Sequence, residues 1–165
     1  LQSLLVCKSF HHGNTAQVAQ AISEVLGSNI VTSAGARERE LSRCQMVGFG
    51  SGIYAFRHHP AVLRAAGQMG LCDREVFIFS TYGIGFPSLY HRPLRARIHR
   101  NGGHVVGESS CRGYDTFGPL RFIGGINRGR PDENDLARAR SFAERLAAGC
   151  VDLSISIRLA ASLYP

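Results

Sequence analysis

The chain of 165 residues reads as an α/β domain with a doubly wound, five-stranded parallel sheet, and three observations predict it. Apolar, β-branched or aromatic runs recur at Leu4 to Cys7, Asn29 to Thr32, Met46 to Gly50, Val76 to Ser80 and His104 to Gly107. Most are short and nearly continuous, as strands covered on both faces should be. Helical patterns separate them, and strands that alternate with helices call for parallel pairing through crossover connections. The polar run Ser9-Phe10-His11-His12-Gly13-Asn14-Thr15 joins the first strand to the first helix, where such a sheet holds an anion.

In the first helix, Val18, Ala19, Ile22, Val25 and Leu26 share one face, with Asn14 or Thr15 as cap and Gly27 as stop. The stretch Ser33 to Ser42 after the second strand is polar and predicts at most a short helical turn. The third strand leads into Ser51-Gly52-Ile53-Tyr54-Ala55-Phe56-Arg57, and a helix from about Pro60 to Met69 opens with proline, whose missing N–H is harmless there. The fourth strand runs into Thr81-Tyr82-Gly83-Ile84-Gly85-Phe86-Pro87. The next helix spans about Leu89 to Arg100, marked by Leu94 and Ile98 and stopped at Gly102. A long Gly- and Arg-rich connection from Cys111 to Pro131 precedes the last helix; loops of that length are often functional. That helix aligns Leu136, Ala139, Ala143 and Leu146, carries Asp132, Glu133 and Asp135 near its positive end, and is closed by Gly149. Residues 1–150 therefore form one domain. Residues 151–165 form a C-terminal extension, where the alternation of Val151, Leu153, Ile155 and Ile157 predicts an added strand or a tail packed on a neighbour.

With 44% hydrophobic residues, a chain of this size can bury about 70% of its unfolded surface without disulfide or metal staples. Five single cysteines, an odd number lacking any C-x-x-C pair, favour a reducing compartment. The sequence shows no signal peptide and no apolar run long enough to span a bilayer, so the expectation is a cytoplasmic protein with no membrane partner. The net charge is +7, and Lys8 is the only lysine. The arginines are spread along the chain without a dense basic run or interleaved aromatics, which argues against nucleic acid. The stripe Arg92, Arg95, Arg97 and Arg100 reads as a solvated helix face able to steer an acidic partner.

In the loop after the first strand, the polar groups of Ser9, Asn14 and Thr15 and the unpaired N–H groups of the helix start converge on one small volume. This arrangement resembles the phosphate loop of the flavodoxin family, hydroxyl-x-hydroxyl-Gly-Asn-Thr. Gly13-Asn14-Thr15 match it, and His11 and His12 replace the usual small polar residues. The match is strongest over Cys7 to Leu26, and the course from Leu4 to about Leu146 is similar to one flavodoxin-type domain. Gly-Gly-Ile-Asn-Arg-Gly-Arg-Pro at Gly124 to Pro131 resembles a subgroup known only as flavodoxin family proteins.

The resemblance implies the strand order 2-1-3-4-5, with the ligand beyond the carboxyl ends of the first and third strands. It implies FMN as cofactor, with Ser9, His11, His12, Gly13, Asn14 and Thr15 around the phosphate. Ser51, Gly52, Ile53, Tyr54, Ala55 and Phe56 would line the ring, and Thr81, Tyr82, Gly83 and Gly85 would cover its other side. Without tryptophan, Tyr54 or Phe56 must supply the stacking ring. A peptide beside the flavin commonly flips in this family, cheaply where glycine follows; here Ala55 and Phe56 follow Tyr54, and Gly52 precedes it. The family's strongly acidic surface is absent.

The expected function is electron transfer between redox partner proteins, the partners being acidic, and a carrier is preferred to a stand-alone reductase. The alternatives are an FMN-dependent NAD(P)H:quinone-type oxidoreductase, with the Cys111 to Pro131 loop in a second substrate pocket, and a flavin-free binding module. His11, His12, His58, His59 and His91 lack the spacing of a familiar metal site, and no metal is expected. His58 and His59 are expected at the entrance of the helix at Pro60, exposed or capping. A cysteine phosphatase needs Arg six positions after its Cys, where Cys7 has Gly13. Gly48-x-Gly50-x-Gly52 lacks the dinucleotide spacing. Cys7 and Cys44 read as packing residues, and Cys111 as the one candidate for thiol reactivity.

Overall fold

The structure, a computed structural model, describes residues 2–10, 12–33, 41 and 43–162, the stretch 150–162 as backbone only. Five parallel strands, β1 (Ser3–Lys8), β2 (Asn29–Thr32), β3 (Met46–Tyr54), β5 (Glu75–Tyr82) and β6 (His104–Arg112), form a sheet in the order β2-β1-β3-β5-β6. This is the expected 2-1-3-4-5 arrangement. A sixth strand, the two-residue β4 (Arg57–His58), folds back antiparallel on β3, pairing Ile53 with His58 and Tyr54 with Arg57. Its two-residue turn consists of Ala55 and Phe56, with φ of 46° and 63°. Such a turn matches the twist of its strands but normally takes glycine or asparagine.

Alternation along the strands divides the core in two. Leu4, Val6, Val47, Phe49, Val76 and Ile78 face helices α2 (Pro60–Gln68) and α4 (Arg92–Arg100), which contribute Val62, Leu63, Ala66, Leu94 and Ile98. Leu5, Cys7, Met46, Phe77 and Phe79 face α1 (Asn14–Leu26) and α5 (Glu133–Ser162), meeting Val18, Ile22, Phe142 and Ala143. Gly48 and Gly50 pair in register with Phe77 and Phe79. A Cβ on Gly48 would lie 2.3 Å from the Phe77 ring, and one on Gly50 2.1 Å from the Phe79 ring. The glycine repeat of β3 is thus a bed for two aromatic rings, and it has no dinucleotide role.

Several boundaries differ from the sequence reading. The helix expected from Leu89 is two pieces, α3 (Pro87–Tyr90) and α4, because His91 between them turns its side chain into the interior. α5 runs through Gly149, as a glycine in a helix interior costs only about 1 kcal/mol relative to alanine. It continues to Ser162, so the strand expected at 151–157 is helical; extending a helix avoids the cost of a new nucleus. Most of the polar segment 33–42 lies outside the described residues. Among the described residues, no helix is long and apolar enough to cross a membrane.

Candidate functional site

The loops after β1, β3, β5 and β6 meet over the carboxyl ends of the central strands and enclose a cleft of about 340 Å³, within the size range of small-molecule sites. The end of β3 and the turn after it supply Gly52, Ile53, Tyr54, Ala55 and Phe56, the end of β5 supplies Thr81 and Tyr82 with Gly83 just beyond it, and the start of α1 supplies Asn14 and Thr15. The Tyr54 ring lies back across Gly52, where a Cβ would be 2.9 Å from its hydroxyl, and Phe56 leans on Tyr90 with ring centroids 5.7 Å apart. Both rings are therefore carried on a turn whose two central residues hold left-handed backbone, a strained conformation for alanine and phenylalanine.

The loop between β1 and α1 approaches one end of this cleft. Gly13 (φ 68°) is the N-cap of α1 and no side chain caps the helix, so the first-turn N–H groups have no acceptor from within the helix. Ser9 Oγ is buried without a hydrogen-bond partner, a costly arrangement unless something supplies one. Asn14 and Thr15, expected as caps, are turned elsewhere. Asn14 Nδ2 donates to the Tyr114 carbonyl at 2.7 Å and the Thr15 hydroxyl meets the Thr81 hydroxyl at 2.7 Å. His12 shares a 2.8 Å hydrogen bond with Thr116 and lies tilted against Tyr114, centroids 4.4 Å apart and planes 41° apart.

These contacts fix the wall that sequence reasoning missed: Gly113, Tyr114, Asp115 and Phe117, from the connection after β6, together with Ile84 and Tyr90. The connection is internally bonded, with Asp115 bridged to Ile126, the Tyr114 hydroxyl donating to the Gly124 carbonyl, and Asn127 donating to Gly83. Its length and its Gly- and Arg-rich composition mark the connection in the sequence, but nothing local marks which of its residues turn inward.

Just below the cleft floor, Ser51 and Ser80 are register partners on β3 and β5, each fully buried and each set against a histidine. Ser51 Oγ lies 3.0 Å from His58 Nδ1, donates to the Gly52 carbonyl and accepts the His59 N–H. That assignment leaves His58 Nδ1–H as donor and its Nε2 as a buried acceptor without a partner. Ser80 meets His91 Nε2 at 2.8 Å; His91 Nδ1–H donates to Glu108, which also accepts from Arg95 Nε at 2.7 Å. Burial, reinforced by His91, lowers the pKa of His58 to about 3. Burial also lowers that of His91, against the opposing pull of Glu108.

Of the residues expected at the site, Asn14, Thr15, Gly52 to Phe56 and Thr81 to Gly83 line the cleft. Ser9, His12 and Gly13 form the adjoining loop. His11 lies outside the described residues. Ser51 is beneath the floor, its hydroxyl occupied as above. Gly85 (φ 100°) backs onto Tyr90, whose hydroxyl would be 1.7 Å from a Cβ there, so it shapes the loop behind the wall. His59 caps α2, accepting the Ala61 N–H at 3.1 Å, whereas His58, expected exposed or capping, is fully buried. Cys111 is buried and its thiol pKa is pushed up to about 12, which removes it as a nucleophile. Arg95 belongs to the Glu108 ion pair and so leaves the solvated stripe.

No protein-family model matches the chain. It is 33% identical over 147 residues to the uncharacterized protein MJ0298 of Methanocaldococcus jannaschii, an alignment covering 88% of this chain and 98% of the relative. Its fold is similar to that of flavodoxin 2 from Bacillus cereus (TM-score 0.66, 16% identity, 90% of this chain and 99% of the other). It is likewise similar to a flavodoxin from the domain Archaea (TM-score 0.62, 15% identity, 90% and 98%). The chain therefore belongs to one family with the Methanocaldococcus jannaschii protein, and its fold is flavodoxin-like.

Proposed function

We propose that the protein binds FMN in this cleft and carries electrons between redox partner proteins. The observation that carries the reading is the buried, partnerless hydroxyl of Ser9 beside the uncapped start of α1, at the end of a cleft walled by Tyr54, Phe56 and Tyr82. This donor set suits a phosphate: a hydroxyl and several backbone N–H groups at a positive helix end. The aromatic walls suit a planar ring. FMN supplies one- and two-electron chemistry when bound. The chain's own residues bind and orient: Ser9 and the N–H groups of the α1 start hold the phosphate, with His12, Gly13, Asn14 and Thr15 shaping that loop. The end of β3 with the turn after it, and Thr81 to Gly83, flank the ring.

The connection after β6 walls this same cleft, an arrangement that supports one ligand and favours a carrier over a reductase with a second substrate pocket. None of the four described cysteines forms a disulfide, which supports a reducing, cytoplasmic setting. Titration of the protein with FMN, followed by flavin absorbance and fluorescence quenching, tests the reading. Saturable binding of FMN in preference to FAD is expected, and absence of binding overturns it in favour of a flavin-free module. NADPH oxidation with and without a quinone tests the carrier assignment, and sustained quinone-dependent turnover would identify a reductase.

A further inference from the structure

The nine phenylalanines of the chain divide in a way that core packing does not explain. Phe49, Phe77, Phe79 and Phe142 are buried, whereas Phe10, Phe56, Phe86, Phe117 and Phe122 are each 66 to 77% exposed. All five exposed rings sit on the connections that leave the carboxyl edge of the sheet after β1, β3, β5 and β6, Phe122 within a short 3-10 turn (Gly118–Ile123), and Phe56 and Phe117 line the cleft itself. Ile84, Leu89 and Ile123 join them there; away from this edge, the only other exposed large apolar side chains among the described residues are Ile30 and Val106. Single exposed apolar residues need no explanation, but their segregation around one cleft mouth does.

Cations accompany the rings. Lys8 Nζ lies 5.8 Å from the Phe10 ring centre and the Arg121 guanidinium 4.7 Å from that of Phe122, and Arg57 follows Phe56 in β4. None of Arg57, Arg112, Arg121 and Arg128 pairs with a carboxylate among the described residues. Aromatic residues and arginine are the residue types enriched where protein interfaces bury most of their energy. On the helix at Arg92 to Arg100, the other surface expected to steer a partner, Arg95 is committed to Glu108 and no exposed aromatic ring accompanies the arginines.

We infer that the phenylalanine-rich edge around the cleft mouth is the docking surface for an acidic partner protein. The inference rests on the carrier reading, since the partner would cover the mouth of the proposed FMN site. A bilayer is the less suitable occupant: it would seal the cleft's one described carboxylate, Asp115, and its polar lining against hydrocarbon, at a desolvation cost that a protein surface with its own polar groups and trapped water avoids.

The test uses the full chain without flavin, so that it stands apart from the FMN titration. Two small acidic electron carriers, a plant-type [2Fe–2S] ferredoxin and a rubredoxin, serve as probes. Basic cytochrome c and phosphatidylserine-containing vesicles serve as counterparts. Binding is followed by amide NMR shifts at low and physiological salt. The inference expects an acidic probe to shift amides of residues 8–10, 54–58, 84–90 and 117–123, with affinity falling at least tenfold across that salt range. Phe122→Ser combined with Arg121→Glu should weaken that binding about tenfold, and Arg100→Glu, at the far end of α4, by less than twofold. Failure of both acidic probes to bind, equal binding of cytochrome c, equal losses in the two variants, or binding to vesicles alone would each overturn it. Absence of FMN binding with this result intact would instead overturn the cofactor reading alone.

Discussion

The imidazoles of His58 and His91 lie with centroids 5.0 Å apart and planes tilted by 41°, side by side beneath the cleft. Each is anchored by one of two serines that are themselves register partners, Ser51 and Ser80. Only His91 has a carboxylate to support it. A proton on His58 would be buried beside a second ring, with Nε2 donating to nothing.

Acid should therefore destabilise the fold through His58. Its pKa is lowered from the ordinary 6.5 to about 3, so the unfolded chain binds a proton there that the folded chain does not. The contribution of neutral His58 is intact above pH 6.5 and is lost progressively as pH falls toward 3, by about 1.4 kcal/mol per pH unit. Urea unfolding of His58→Asn at several pH values should show a shallower fall than the wild type. A slope unchanged by the substitution would refute the assignment.

The two ends of the phosphate loop should separate binding from stability. Ser9→Ala removes a hydroxyl that satisfies nothing within the chain, so it should weaken FMN binding by about 1.5 to 3 kcal/mol and leave the unfolding midpoint unchanged or higher. Asn14→Ala removes the bond to the Tyr114 carbonyl and should lower stability as well. Calorimetric titration and thermal unfolding of both variants check this; identical behaviour of the two would contradict it.

Ring contacts are testable one at a time. Alanine at Tyr54, Phe56 or Tyr82 should cost roughly 1 to 3 kcal/mol of FMN affinity from lost burial and stacking. Three variants with wild-type affinity and wild-type fluorescence quenching would exclude these walls as the ring site.

The Ala55-Phe56 turn should be improvable. With φ of 46°, Ala55 has a Cβ in a conformation that costs about 1 to 2 kcal/mol, partly offset in a glycine variant by the greater freedom of the unfolded chain. Ala55→Gly should stabilise the protein by about 0.5 to 1 kcal/mol in denaturant unfolding. A destabilised variant would show that the turn is not strained.

The sheet was legible because strands covered on both faces must be apolar at nearly every position, as in Leu4 to Cys7 and Val76 to Ser80. β4 was not, because Arg57 and His58 carry no strand pattern and the turn before them lacks the glycine or asparagine that marks such hairpins. The anion loop and both aromatic loops were visible because topology alone brings them to one crevice. Tyr114, Asp115 and Phe117 were hidden because contacts 100 or more residues apart, such as His12 to Thr116, leave no trace in local pattern. His58 was misjudged for a related reason: burial of a histidine depends on Ser51 seven positions back in the sequence and on the fold around both. The reach of α5 past Gly149 is masked by the alternation at Val151, Leu153, Ile155 and Ile157, which mimics a strand although the residues continue a helix already begun.

The bed of Gly48 and Gly50 under Phe77 and Phe79 also bears on how relatives of this chain can diverge. A methyl group at position 48 or 50 meets a ring rather than the end of a flexible chain, so neither glycine can be replaced while its phenylalanine stays. Loss of a ring first, to a smaller apolar residue, opens the space that a side chain on β3 then fills. The order of the two changes is thereby set, and in an alignment of relatives positions 48 and 77, like 50 and 79, should exchange volume as linked pairs.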